Sequence, residues 1–139
     1  MLQLEPLMVG RLSDALPSGW SVKGELSSPG DRRLDGGQLA IVSLAGAQVP
    51  TVKSSAAMVA PAWTVLLVAR KGDSAPALLD AALSATVDAL HNWSMADPVG
   101  GRRWEPMILA QMSVPPMQDD ALLGLAITFT TSALFRGQP

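Results

Sequence analysis

The side chains best able to do chemistry in this chain are few and are poorly placed to act together. His91 is the only histidine and cysteine is absent, which excludes thiolate catalysis and a zinc site built from imidazole and thiolate ligands. One histidine among scattered serines is weak evidence for a catalytic triad, which needs a nucleophile, a base and an orienting acid gathered together. His91 lies near the end of a helical pattern, where an imidazolium would interact favourably with the helix dipole. We therefore expect no catalytic residue and no enzymatic activity.

Acidic and glycine-rich stretches offer no stronger case for a bound ion or nucleotide. Asp119 and Asp120 are adjacent, so on a strand they point to opposite faces and in a turn both face water, which favours a solvated turn over a cation site. Residues 35–37 precede a predicted strand, whereas a phosphate-binding glycine loop follows a strand and begins a helix. Residues 72–74 do precede a predicted helix but lack the glycine spacing of nucleotide-binding loops. We predict no metal and no cofactor.

Two arginine pairs are the best polar candidates for a functional surface. Arg32 and Arg33 follow Asp31 in one loop flanked by glycine and proline, and Arg102 and Arg103 lie in another. Such loops can position guanidinium groups against an acidic protein surface or against phosphate. Nucleic acid is the weaker partner, because the chain has no tyrosine, two phenylalanines and no interleaved basic and aromatic pattern. All five residues are candidate partner contacts, and the alternative is that the arginines are only solvated.

Composition points to protein partners. The chain has 139 residues, of which 48% are hydrophobic, enough for one domain with a single core. Its net charge is −2 and only 16% of its residues are charged, below the roughly 25% of an ordinary soluble domain, so much of its surface must be neutral. Long stretches without a charge, such as residues 54–69 and 121–135, fall short of the ~20 residues that a membrane-spanning helix needs. We expect no membrane association and no secretion signal.

The first half of the sequence predicts one helix and three strands. Four apolar residues recur at helical spacing, namely Leu4, Met8, Leu12 and Leu16. The pattern ends at residues 17–19, whose Pro-Ser-Gly sequence breaks a helix. Branched and aromatic residues predict strands at 20–26, 38–44 and 64–69, the last two as neighbours in a sheet. Residues 27–37 are expected to form a long exposed loop, and residues 46–55 to be irregular or edge-like around Pro50.

The second half predicts a helix and two further strands. Asp73 or Ser74 can cap a helix that runs to Asn92, with an apolar stripe made of Leu79, Leu83, Val87 and Leu90. Alternation predicts a strand over residues 104–114, whose apolar face consists of Trp104, Ile108, Met112 and Val114. A last strand alternates one large apolar face against small and hydroxylated residues, the large face being Leu123, Leu125, Ile127 and Phe129.

These elements predict an α+β fold. Residues 115–120 contain two consecutive prolines and turn formers, so the last two strands are expected to pair antiparallel across this reversal. Residues 136–139 have no apolar pattern and are expected to be a frayed tail. We therefore predict one domain over residues 1–139, with a mainly antiparallel sheet packed against two helices.

Four stretches of sequence carry a resemblance to a known family. They are Leu90-His91-Asn92-Trp93, Asp97-Pro98-Val99-Gly100-Gly101, Trp104-Glu105-Pro106-Met107-Ile108-Leu109 and Leu123-Gly124-Leu125-Ala126-Ile127-Thr128-Phe129. In this order the chain resembles the tail terminator proteins of long-tailed bacteriophages, which include the Mu-type and lambda-type minor tail proteins, and the Mu-type family is closest. The resemblance covers nearly the whole chain in the order of its elements, and its sequence motifs are loose.

The resemblance implies a virion assembly protein without enzymatic activity. Members of the family form a hexameric ring on the head-proximal end of a finished tail, which implies as partners further copies of the chain, the major tail tube protein and the head-completion proteins of the neck. DNA would pass through the lumen as cargo. The protein would be made in the cytoplasm of a bacterial host and end in the virion tail.

Two other hypotheses remain open from the sequence. Another ring-forming component of the neck or the baseplate would share the size and assembly behaviour of a terminator. A small-ligand-binding or enzymatic α+β domain would need a pocket with convergent polar groups, for which the chain offers one histidine, no cysteine and no tyrosine.

Overall fold

The protein folds into one sheet with two helices packed on it. The structure, a computed structural model, describes residues 1–138. Its elements in chain order are α1 (Leu4–Ala15), β1 (Trp20–Gly24), a 3-10 turn (Asp35–Gly37), β2 (Gln38–Lys53), β3 (Ala56–Arg70), α2 (Ala75–Leu90), β4 (Ile108–Ser113), β5 (Leu122–Thr130) and β6 (Ala133–Arg136). The predicted α+β class is confirmed, with both helices close to their expected bounds.

The sheet is mostly antiparallel. Its strand order is β1-β2-β3-β5-β4, and β6 pairs with the beginning of β3. The pair β1–β2 is parallel, and the other pairs formed by the described residues are antiparallel. The predicted pairing of the strands around residues 38–44 and 64–69 is confirmed, as is the antiparallel pairing of the two strands that flank residues 115–120.

A long hairpin extends the sheet beyond the part that the helices cover. We call residues 46–53 of β2 with residues 56–62 of β3 the hairpin arm. Pairing continues from Gly46 opposite Ala62 to Lys53 opposite Ala56, with register shifts before Gly46 and between Gln48 and Thr51. The prediction that residues 46–55 are irregular is therefore wrong for most of the stretch, because these shifts accommodate the glycine and Pro50 without ending the strand. The expected edge character is present, since β1 covers β2 only up to Val42.

The core lies between the helices and one face of the sheet. Leu4, Met8 and Leu12 of α1 are fully buried, and Leu79 and Leu90 of α2 are buried beside them. On β5 the predicted alternation is confirmed: its large residues lie opposite Trp63, Val65, Leu67 and Ala69 of β3 on the helix side. Ile127 and Phe129 are fully buried there, whereas Leu123 and Leu125 are half-buried.

The opposite face of the sheet is partly covered by loops. Thr64 and Thr128 lie opposite each other on this face, and their hydroxyl oxygens are 3.0 Å apart in a hydrogen bond. The polar alternate positions of β5 therefore have a structural use within the sheet.

The strand predicted over residues 104–114 is shorter than expected, and most of its predicted apolar face is exposed. It begins at Ile108, and the side chains of Ile108, Met112 and Val114 are 46%, 48% and 68% exposed, so only Trp104 of the predicted face is buried. Before β4, the backbone bonds to the end of α2: Asn92 N–H donates to the Met107 carbonyl at 2.6 Å, and Met107 N–H donates to the Trp93 carbonyl at 3.0 Å. A register shift after Leu109 and the edge position of β4 then leave Ile108, Met112 and Val114 uncovered, whereas Leu109 packs against the core.

The end of the chain is also more ordered than expected. Residues 133–136 form β6, which pairs with residues 56–59 of the hairpin arm, and Gly137 N–H donates to the Ser55 carbonyl at 2.7 Å. The prediction of a frayed tail is wrong for residues 136 and 137, and Pro139 lies outside the described residues. Over residues 1–138, neither helix is long and apolar enough to cross a membrane.

Candidate partner-contact surfaces

Asp31 is the centre of an ion-pair cluster in the loop after β1. Its Oδ2 accepts a hydrogen bond from Lys23 Nζ at 2.6 Å, and its Oδ1 accepts from Arg33 Nε and from the Arg33 backbone N–H, each at 3.2 Å. These hydrogen bonds, from Arg33 first and Lys23 second, hold the pKa of Asp31 well below its ordinary value of 3.8. The carboxylate therefore fixes the shape of this loop.

Arg32 is paired within the same loop. Its Nη1 donates to Glu25 Oε2 at 2.8 Å, and the Gly30 N–H donates to the other carboxylate oxygen at 3.3 Å. The hydrogen bond from Arg32 lowers the pKa of Glu25. The structure thus brings Asp31, Arg32 and Arg33 together, as their sequence suggests, but their charges are compensated inside the chain. An acidic partner at this loop would have to compete with Asp31 and Glu25 for the guanidinium groups.

A buried carboxylate that the sequence analysis missed anchors the start of this loop. Glu5 of α1 is 1% exposed. Its Oε2 accepts from Leu26 N–H at 2.8 Å, and its Oε1 accepts from Ser27 N–H at 3.1 Å and from Ser27 Oγ at 2.8 Å. Gly24 makes room for it, since a Cβ on this glycine would lie 1.8 Å from Oε1. The spacing of Glu5, Met8 and Leu12 places the charge on the buried face of α1, and this pattern could have identified it.

The second arginine pair lies beside β6 in different surroundings. The Arg102 guanidinium lies 3.6 Å from the centre of the Phe135 ring, a cation–π contact, and its Nη1 donates to the Gly100 carbonyl at 3.3 Å. Arg102, Arg103 and Arg136 line a hollow of about 520 Å³ together with Gly100, Gly101 and Leu134. Within residues 1–138, no carboxylate pairs with Arg102, Arg103 or Arg136. This hollow, which we call the arginine hollow, is the surface more open to an anionic partner.

The loop that presents Arg102 and Arg103 is held from several sides. Val99 and Arg102 form a two-residue bridge across Gly100 and Gly101, which have positive φ values of 63° and 76°. Trp104 Nε1 donates to the Val99 carbonyl at 3.0 Å, and the Trp104 ring packs edge-on against Phe135. Glycine at both turn positions and a buried tryptophan after them therefore fix where the arginines emerge.

The other chemistry-bearing residues have structural partners. His91 Nδ1 accepts a hydrogen bond from Leu109 N–H at 3.0 Å, so the ring joins the end of α2 to β4. Asp119 Oδ1 accepts from Ala121 N–H at 2.9 Å, which matches the predicted turn. Over the described residues, no three histidine, aspartate or glutamate side chains come together as metal ligands.

A separate hollow of about 450 Å³ lies on the sheet face opposite the helices. Its floor is apolar and consists of Leu39, Ile41, Leu66 and Val68. Arg32 and residues 115–119 form its walls. Arg32 therefore lines a different hollow from Arg102 and Arg103, and the two arginine pairs do not share one hollow.

Comparisons with known proteins establish the fold of this chain but not its function. No protein-family model matches the chain, and no curated protein matches it in sequence. Among solved structures, a chain from the virion of a native gene transfer agent particle aligns with 96% of this chain and 89% of its own length, at a TM-score of 0.59 and 15% identity. A second solved structure aligns with 99% of this chain and 92% of its own, at a TM-score of 0.54 and 18% identity. At these identities the likeness establishes a shared fold.

Proposed function

We propose that this chain is a virion assembly protein that acts as the tail terminator of a phage or prophage. The observation that carries the proposal is the fold shared with a virion chain of a gene transfer agent particle over almost the full length of both chains. The order of sequence motifs around residues 90–109 and 123–129 supports the narrower role of terminator. We further propose that residues 1–139 act as one terminator-like domain.

A terminator must form a ring that closes. Each subunit offers one surface to a different surface of its neighbour, and closure at a fixed number of copies ends growth. We propose a ring of six copies, one face of which covers the last ring of the major tail tube protein while the other receives the head-completion proteins. DNA crosses the lumen as cargo. The protein is then found at the head-proximal end of the tail, after synthesis in the cytoplasm of the bacterial host.

The arginine hollow supplies a contact for these partners. Arg102 and Arg103 are held on a fixed loop and have no carboxylate partner within residues 1–138. They can form charge-assisted hydrogen bonds with acidic side chains of a tube or neck protein. Asp31, Arg32 and Arg33 would contact a partner differently. Their charges are paired with each other and with neighbouring residues, so a partner would recognise the shape of the loop that these ion pairs maintain. No catalytic step is part of the proposed role.

Two measurements test the proposal together. Light scattering over a series of protein and salt concentrations gives the native mass, and electron microscopy with purified tail tubes shows whether the protein covers one tube end. We expect a closed six-subunit ring, alone or on the tube end, and tubes that no longer elongate. A protein that stays monomeric and leaves tube elongation unchanged at saturating concentration would refute the proposal.

Another component of the neck or the baseplate is the alternative function, because such a protein can share a virion fold and a ring geometry. Labelling the protein in intact particles distinguishes the two, since a baseplate component appears at the distal end of the tail. The 450 Å³ hollow keeps a third hypothesis, a small-ligand-binding domain, open to test. The volume of this hollow lies within the usual range for ligand sites. A ligand bound there should protect the backbone amides near Arg32 from hydrogen exchange.

A further inference from the structure

Exposed large apolar side chains are concentrated on two strand edges. Within residues 1–138, nine large hydrophobic residues are exposed, and five of them lie on β4, directly after it, or on the outer strand of the hairpin arm: Val49, Val52, Ile108, Met112 and Val114. The other four are distributed over α1 and its preceding turn, the loop after β1, and β6. Apolar residues gathered on an edge strand indicate a surface that another chain covers.

Charges are scarce along both edges. Residues 108–114 contain no charge and no proline, and the charged residue of the outer arm strand is Lys53 at its tip, so a second strand over residues 46–52 would meet no lysine or carboxylate. A register shift interrupts β4 after Leu109, and Pro50 with the neighbouring shift interrupts the arm. Regular pairing resumes on both sides of each interruption. The start of β4 is already bonded to the end of α2, because Leu109 N–H donates to His91 Nδ1. The backbone groups that a further strand would use are those of β4 after Leu109 and those of the arm.

The two edges lie on opposite lateral sides of the sheet. In the order β1-β2-β3-β5-β4, β4 is outermost on one side, and β2 is outermost on the other side wherever β1 no longer covers it. One chain cannot pair these edges with each other, but successive copies can, each presenting β4 to the arm of the next. Such a contact is heterologous, which is the type that closes into a ring.

We propose that β4 of one copy pairs with the β2 strand of the hairpin arm of a second copy, so that the sheet continues between subunits. The proposal deepens the proposed function, on which it rests, by naming the contact between neighbouring ring subunits. β2 runs antiparallel to β3, whereas β4 runs in the same direction as β3. Two copies with the same sheet orientation therefore bring β4 of one copy and β2 of the other together antiparallel. The exposed Met112 and Val52 then lie at one intersubunit boundary.

The registers also predict how neighbouring copies are displaced. Through β5 and β3, Ile108 is level with Ala62, and Ala62 lies opposite Gly46, where the arm begins. The arm therefore extends away from the level of β4 within one copy. Pairing of β4 with the arm of the next copy requires a stagger along the strands of roughly the length of β4. Staggered strands are also what a closed arrangement of tilted strands requires.

The other lateral edge strand, β1, is the alternative site for β4 and is less suited to it. β1 carries Lys23, whose ammonium group bonds to Asp31 of the following loop, and its side chains are at least partly buried. An edge lysine and a neighbouring loop are common means of preventing strand addition. Val22 of β1 therefore serves as the position that tests this alternative edge.

Cysteine cross-linking tests the contact directly, because the natural chain has no cysteine. Met112→Cys, Val49→Cys, Val52→Cys and Val22→Cys are prepared as separate proteins, mixed in pairs at ring-forming concentration or with tail tubes, oxidised, and separated without reductant. We expect a covalent dimer from Met112→Cys mixed with one of the arm variants, and a ladder of covalent species from a chain that carries both substitutions. We expect little dimer from Met112→Cys alone, since a heterologous contact does not bring Met112 to its own copy.

Substitution by lysine gives an independent measurement. Met112→Lys and Val52→Lys place a charge on each proposed edge, and Leu26→Lys is the control, since Leu26 is also half exposed but lies in the loop after β1. Far-ultraviolet circular dichroism first establishes that each variant is folded. We expect the concentration at which rings form to rise at least tenfold for the two edge variants and to change less than twofold for Leu26→Lys.

The outcomes separate this contact from the proposed function. Rings that form normally in the folded edge variants, or cross-links of Met112→Cys to Val22→Cys in place of the arm variants, would overturn the contact and leave the terminator proposal intact. Absence of any oligomer of the natural protein, both in solution and on tube ends, would instead refute the terminator proposal and this contact with it.

Discussion

Replacement of Glu5 by glutamine measures how strongly α1 holds the loop that carries Asp31, Arg32 and Arg33. The Glu5 carboxylate is 1% exposed and accepts three hydrogen bonds, from Leu26 N–H, Ser27 N–H and Ser27 Oγ. A glutamine of nearly the same shape can place its carbonyl oxygen at the position of Oε1 and keep two of them. Its amide nitrogen then faces Leu26 N–H, so a donor meets a donor.

The magnitude follows from this loss. A hydrogen bond to a charged group contributes roughly 1.5–3 kcal/mol, and a buried donor left without an acceptor costs a similar amount. We expect Glu5→Gln to lower the free energy of unfolding by about 2–3 kcal/mol and Glu5→Ala by about 3–5 kcal/mol, because alanine leaves both backbone donors, Leu26 N–H and Ser27 N–H, unpaired. Typical domains unfold at a cost of only about 5–15 kcal/mol, so either loss would be readily measured.

Urea denaturation at neutral pH is the assay, and Glu105→Gln is the matched control, because Glu105 is exposed and undergoes the same chemical change. The control should change the free energy of unfolding by less than about 0.5 kcal/mol. Hydrogen exchange should also show faster exchange of the Leu26 and Ser27 amides in Glu5→Gln. If Glu5→Gln were as stable as Glu105→Gln, the carboxylate would not hold the loop, and the argument from its three hydrogen bonds would be refuted.

Three further predictions concern the core, the loop and the arginine hollow. Ile127→Ala should cost about 2–5 kcal/mol of unfolding free energy and Leu125→Ala clearly less, because Ile127 is fully buried and Leu125 half-buried; equal losses in denaturation would contradict the assigned burial. The pKa of Asp31 is lowered on folding, so its ionisation stabilises the protein above pH ~4, and this stabilisation is lost as the pH falls below that value. Asp31→Asn should lack this stabilisation. The difference in unfolding midpoint between the natural protein and Asp31→Asn, measured between pH 2 and pH 6, should therefore shrink on acidification. Arg103→Glu should weaken binding to tail tubes or neck proteins at least tenfold in sedimentation, with Arg70→Glu, an exposed arginine at the end of β3, unchanged; equal effects would indicate general charge repulsion.

Local periodicity was sufficient for those elements whose neighbours bury one complete face. The helical stripe of Leu4, Met8 and Leu12 and the alternation through Ile127 and Phe129 each encode a buried face in spacing alone, and both faces are buried as expected. The same rule was wrong for β4, whose residues alternate equally well. Alternation shows that two faces differ, but only the neighbouring layer decides whether the apolar face is covered, and β4 lies at the sheet edge.

Contacts between distant parts of the chain could not be predicted from periodicity within single elements. Glu5 meets residues 21 and 22 positions later in the sequence, and Arg102 meets a phenylalanine of β6, a strand that the sequence did not predict. The arginines of the two loops look alike in sequence. Their neighbours make them different, since Arg32 and Arg33 are bound to carboxylates while Arg102 lies on an aromatic ring.

The amino-acid sequence by itself determined the α+β class, the two helices, the buried face of β5 and the scarcity of catalytic groups, because these depend on composition and on spacing within single elements. Only the tertiary structure decided that residues 46–53 continue a strand, that Glu5 is buried, and that Ile108 and Met112 of β4 are exposed. Each of these depends on which segments meet across the sheet, since burial and ion pairing are properties of neighbours in space.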